Sequence, residues 1–342
     1  MRKVSVGVVW LILLGILAAC GTELPPPEDV FCVVSVDGGV FERVDTVFLK
    51  TTEALEIRPV FVVDDEYYSE VDTFLDHGKE VSARQARFPV FWSRAKPTYK
   101  KGGYDNVENA PKDRFAVYKD DIPYAVEPLP IGASLIVLGD VAPSNASGTY
   151  YIKALTSPAE RSEFRTTSAI HKENDFLQVV VRPDDSYLGY ARELWGTPFI
   201  MCPKKMENGL HQTDERVGSD CAELAIYARR RMGFPVPYCG PKGLYPYLEP
   251  VVSGLFTRKK DSAEVLMVSG KGETVAVGDG GLNPGDLLHY GTQVAVFYED
   301  VGVIGLLDGA DIVLQSYGET PHFSTLLENE KIFGGFQIFR WK

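Results

Sequence analysis

The sequence predicts a multidomain chain: β-rich units up to about residue 178, then an α+β unit with an antiparallel sheet over residues 184–342. Three observations carry this. Short β-branched and aromatic runs, divided by Gly, Asp and Pro, dominate residues 30–175. Helical patterns around 187–194 and 221–232 open the last part. Closely spaced strand patterns then follow as far as Trp341, and helices first with a meander after is an α+β layout. A chain of 342 residues suits two or three domains.

The chain opens with a targeting segment. Arg2 and Lys3 give it a basic start, and Val4–Leu17 is an almost unbroken apolar run, too short for a comfortable membrane span. It ends in Leu17-Ala18-Ala19-Cys20-Gly21. Small residues directly before a cysteine resemble the lipobox of bacterial lipoproteins. The resemblance implies removal of residues 1–19 and lipidation of Cys20; the alternative is an ordinary secretory signal with an incidental cysteine. Gly21 is not Asp, which by the same resemblance favours the outer membrane in a host with two membranes. Residues 20–29, with Pro25-Pro26-Pro27, read as an extended tether.

The formal charge is −12, and loss of Arg2 and Lys3 takes it to −14. An acidic chain without a basic run argues against nucleic-acid binding, and against holding an anionic polymer mainly by charge. Beyond the leader no apolar stretch is long enough to span a membrane, so the body is expected to be soluble and extracytoplasmic.

Residues 30–110 predict a small sandwich or barrel, with strands at Val33–Val36, Val47–Leu49, Val60–Val63 and Val90–Trp92. Residues 101–112 are polar and contain Gly, as a linker would. Residues 113–178 again predict short strands, at Phe115–Tyr118, Ser134–Leu138 and Thr149–Ala154, broken by Pro128, Pro130, Gly132, Pro143 and Gly148. That order is similar to a bacterial SH3-like barrel, and a generic five-stranded barrel fits it nearly as well.

In the last unit, Asp184 or Asp185 caps a helix through Tyr187, Ala191 and Leu194, closed by Gly196 and Pro198. The second helix begins on a cysteine. Asp220 is a good N-cap, and Glu223 three residues on completes a capping-box pattern. Gly233 and Pro235 end the helix. Cys221, Leu224, Ala225, Ala228 and Met232 share one face, so that face packs inward and Cys221 sits in the first turn, where the helix dipole favours a thiolate. A buried structural cysteine fits equally well. After an irregular, proline-bearing stretch over 234–283, strands are expected at Asp286–His289, Gln293–Tyr298, Asp311–Ser316 and Gly335–Trp341. Cys202 and Cys239 flank the helix and could pair, leaving Cys221 free; spacing does not decide pairing. No C-x-x-C pair or His/Cys cluster suggests a metal site, and no cofactor is expected.

Residues 187–342 resemble the NlpC-type papain-like cysteine peptidases of bacterial cell walls. Four pieces appear in the family's order: Ala-Arg-Glu-Leu-Trp-Gly-Thr-Pro-Phe at 191–199, Asp220-Cys221-Ala222 for the family's Asp-Cys-Ser, Pro284-Gly285-Asp286-Leu287, and Gln293-Val294-Ala295-Val296-Phe297-Tyr298 as the next strand. The resemblance implies a papain-like domain at 184–342 and amide hydrolysis through a thioacyl intermediate. A histidine would shuttle the proton, and backbone N–H groups would hold the oxyanion. It carries Cys221 over as nucleophile and Asp220 as a contact for the substrate's free amino group, although a plain helix cap explains Asp220 as well. The partner implied is the peptidoglycan stem peptide, cut between D-glutamate and the diamino acid.

The general base is where this chain departs. The family's histidine position is Gln293, whose amide does not titrate near neutral pH. The third polar position is Gln315, which the chemistry tolerates. His289 is the leading replacement. If the turn after it has three loop residues, His289 pairs with Gln293 and shares its face; if two, it points to the opposite face. His322 and His211 are the other candidates, the former expected at the surface and the latter near substrate or without a role. The expectations are therefore a peptidoglycan endopeptidase, or a catalytically inactive lipoprotein that binds peptidoglycan and keeps the fold. An acyl-transferring relative is not separable from the first.

Overall fold

The computed structural model describes residues 24–98, 103–105, 122–143, 146–160, 164–166, 175–206, 209–259 and 266–342. The leader, Cys20 and the expected strand Phe115–Tyr118 lie outside them. The fold is β-rich, and one of its sheets nearly closes into a barrel.

The β-rich part is built from two sheets. In the first, the long strands Asp29–Val36 and Leu55–Val63 pair antiparallel, with Val33 opposite Arg58. In the second, Phe91–Pro97 and Gly148–Leu155 form the centre, flanked by Ile122–Pro128 and Leu177–Arg182. The expected boundary near residue 110 does not separate the two sheets. Thr46–Lys50 leaves the first stretch to pair in parallel with Leu177–Arg182, while Ile136–Val137 crosses back onto Leu55–Val63. The reason is burial. Val34, Leu49, Trp92, Ile136, Ile152 and Val179 fill one common core, so neither stretch could cover its apolar face alone. Tyr104–Asp105, within the expected linker, pairs with Ile200–Met201 of the last unit.

The last unit is a seven-stranded sheet. It runs Met267–Ser269, Leu248–Arg258, Phe336–Trp341, Leu287–His289, Val294–Glu299, Ile312–Gln315 and His322–Thr325, every neighbour antiparallel. The described residues hold four α-helices: α1 (Leu138–Val141) in the β-rich part, and α2 (Tyr187–Ala191), α3 (Cys221–Arg231) and α4 (Leu326–Phe333) in the last unit. α2 and α3 cover one sheet face, where Leu224, Ala225 and Ala228 meet Leu287, Val294, Val296 and Leu314. α4 covers the other, where Leu326 joins Leu288, Ala295, Phe297 and Val313. The alternation of these residues along each strand fixes which side chains can see α3.

One buried carboxylate ties α3 to the β-rich part. Glu193 has no exposed surface. It accepts from Tyr227 Oη at 2.6 Å, from Arg231 Nε at 2.8 Å and Nη2 at 3.1 Å, and from Arg182 Nη1 at 3.3 Å. The Arg231 guanidinium also lies 4.3 Å from the ring centre of Phe48. Three donors thus surround a charge that could not be buried alone.

Candidate functional site

Cys221 begins α3 as expected. Asp220 is its N-cap in extended backbone, and its carboxylate accepts from Glu223 N–H at 2.9 Å. The reciprocal half of the capping box is missing. The Glu223 carboxyl turns back to accept from the Thr213 hydroxyl instead, with His211 Nδ1 at 3.6 Å.

The Cys221 thiol is buried, 7 % exposed, in the core between α3 and the sheet. Burial, and then the Asp220 charge beside it, push the thiol far above its ordinary range, and hydrogen bonding to the Val294 and Ala222 backbone offsets only part of this. The dipole of the first turn does not outweigh removal from water.

The turn after His289 has two residues. Tyr290 N–H donates to Gln293 C=O at 2.8 Å across Gly291-Thr292, Gly291 has φ +84, and His289 stands opposite Val294. Gly291 supplies the positive φ that so tight a hairpin needs. His289 therefore shares the α3 face with Leu287 and Val294, while Gln293 follows Ala295 and Phe297 onto the α4 face.

Facing α3 does not bring His289 into play. Its Nε2 sits 2.9 Å from Pro241 C=O, and Gly291 N–H donates to its Nδ1 at 3.0 Å. Accepting at Nδ1 leaves the proton on Nε2, directed at that carbonyl. The ring stacks on Tyr245, with centres 4.6 Å apart, and burial holds its pKa below the ordinary histidine value. Among the described residues no hydrogen bond joins Cys221 to an imidazole.

Gln293 and Gln315 do come together. Gln293 Nε2 donates to Gln315 Oε1 at 3.3 Å, and Gln315 Nε2 donates to Ser324 Oγ at 2.9 Å, with His322 Nε2 at 3.4 Å. Asn329 of α4 donates to the same Ser324 hydroxyl at 2.6 Å. His322, half-buried, has its Nδ1 2.8 Å from Thr320 C=O, so it is held in this network.

A second polar cluster lies at the start of α3. His211 stacks on Tyr238 with centres 4.0 Å apart, and Tyr238 Oη donates to Asp214 at 2.7 Å. Arg230 reaches the same carboxylate at 3.1 Å. Burial and the neighbouring Asp220 hold the Glu223 carboxyl well above the ordinary range, so it stays protonated at neutral pH. Burial likewise raises Asp220. Sequence reading missed Glu223 as a buried acid because the capping-box spacing explained it; Tyr238 and Thr213 carry no local signal.

Cys202 and Cys239 do not form a disulfide with each other. Cys202 occupies an exposed bend with φ +54, whereas Cys239 packs inward against Gly243. Among the described residues no group of three or more His, Cys, Asp or Glu is placed to hold a metal, and no helix is long and apolar enough to cross a membrane. No protein-family model matches the chain, and neither the curated proteins nor the solved structures give a significant match.

Proposed function

We propose that this chain is a cell-envelope lipoprotein, anchored through Cys20, that binds peptidoglycan stem peptide and retains a papain-like domain without turning over amides. The motif order around Cys221 and the packing of α2 and α3 on one face of an antiparallel sheet support the domain reading. The observation that carries the absence of turnover is the state of the imidazole: both nitrogens of His289 are engaged by backbone, and the thiol it would serve is buried and protonated. A thiol attacks as the thiolate, and nothing bonded to this one takes its proton.

The test is digestion of purified muropeptides by the full chain beside a Cys221→Ala variant, with binding followed in parallel. Both proteins bind and neither cleaves. Cleavage by the wild type that disappears in Cys221→Ala would overturn the reading in favour of the endopeptidase. That second reading has one observation behind it: His289 stands on the sheet face that packs against the Cys221 helix.

A further inference from the structure

A cavity of about 280 Å³ opens between the β-rich part and the last unit. Its walls are Arg94, Lys96 and Pro97 of one strand, Tyr150 of the next, Trp195 after α2, and Thr320 from the loop before His322–Thr325. Cys221 is not among them. The surface is mostly side-chain carbon, so water in it is poorly held.

Its charge runs against that of the chain. Arg94 Nε and Lys96 Nζ both reach a single carboxylate oxygen, Glu127 Oε2, at 3.3 and 3.0 Å. Two cations on one carboxylate leave one positive charge over. Behind the wall the Arg192 guanidinium lies 5.8 Å from the Trp195 ring centre, and its Nε is buried without a hydrogen-bond partner. The nearest other carboxylate in sequence, the exposed Glu319 beside Thr320, is not part of the lining.

We propose that this cavity binds a small organic carboxylate with a flat or apolar body, the body against Trp195 and the carboxylate taken by Lys96 and Arg94. The volume limits the body to about one ring or its equivalent in chain. An uncharged analogue loses the charge-assisted bonds and gains nothing in exchange. The site is separate from Cys221 and does not rest on the reading above, so each can fail without the other.

The probe is 3-phenylpropionate, with 3-phenylpropionamide as its uncharged counterpart. Binding is read on the full chain from the indole N–H signal of Trp195, assigned with a Trp195→Phe variant. The acid shifts that signal saturably with a Kd of roughly 1 mM, and the amide binds at least about tenfold more weakly. Lys96→Gln leaves Arg94 to pair with Glu127 alone, which removes the excess charge, and it weakens the acid about three- to tenfold without changing the amide. Glu127→Gln does the reverse and tightens the acid. Both positions are at the surface, so neither variant threatens the fold. An unshifted Trp195 signal, an amide that binds as well as the acid, or two variants that move affinity in the same direction would each overturn the proposal.

Discussion

Gln293 and Gln315 meet side chain to side chain, 3.3 Å apart, on the sheet face covered by α4 rather than the face covered by the Cys221 helix. The two positions that the resemblance assigns to a histidine and its polar partner are adjacent. Yet they are turned from the thiol by the two-residue hairpin at Gly291-Thr292. A three-residue turn would instead pair His289 with Gln293 and place both on one face. Chemistry at Cys221 is thus set as much by the length of this turn as by the residues beside it.

Cys221 is therefore expected to be unreactive, and indifferent to His289. With iodoacetamide at pH 7.5, alkylation of Cys221 should run at least about 100-fold slower than that of the exposed Cys202, read by peptide mass mapping. His289→Ala should leave the Cys221 rate unchanged while loosening the 240–243 loop that its Nε2 holds through Pro241. A Cys221 rate that matches or exceeds that of Cys202, and falls in His289→Ala, would show a thiolate–imidazolium pair.

Glu193 is the main electrostatic joint between α3 and the β-rich part. Glu193→Ala leaves Arg182 and Arg231 facing an emptied, water-poor space, and should lower unfolding stability by about 3–5 kcal/mol. Tyr227→Phe removes only one neutral donor from the same carboxylate and should cost about 1 kcal/mol. Urea unfolding of the two variants separates these values, and a Glu193→Ala loss no larger than that of Tyr227→Phe would mean the charge is compensated elsewhere.

What could be read in advance follows from range. Asp220 as N-cap, the helix end near Gly233 and the strands Val294–Glu299 and Phe336–Trp341 are local matters of capping and periodicity, and they were legible. The β-rich part was legible as strands but not as units. The parallel pairing of Thr46–Lys50 with Leu177–Arg182 spans more than a hundred residues and leaves no mark in either segment. The face of His289 was reducible to a choice between two turn lengths, and only the fold decides between them. The protonated state of Glu223 was invisible for the same reason: it depends on Thr213, His211 and the burial that the 211–217 turn imposes.

Glu223 should give the protein a pH-dependent stability. Its folded-state pKa is raised from 4.5 to about 9, chiefly by burial and then by Asp220. The folded state therefore holds a proton that the unfolded state releases above about pH 4.5, and stability falls as pH rises between those values. Asp220, raised from 3.8 to about 6, acts in the same direction over the lower part of that window. His211, held below 6.5 by burial, acts in the opposite direction, since its unfolded form takes up a proton as pH falls. Asp214 also faces the cluster, paired with Arg230. Above pH 7 the decline belongs mainly to Glu223. Glu223→Gln keeps an acceptor for the Thr213 hydroxyl and cannot ionise, so it should be about 1–3 kcal/mol more stable than wild type at pH 8.5 and level with it at pH 5. Urea midpoints at pH 5, 7 and 8.5 measure this directly. Equal slopes above pH 7 in the two proteins would place the titrating group elsewhere.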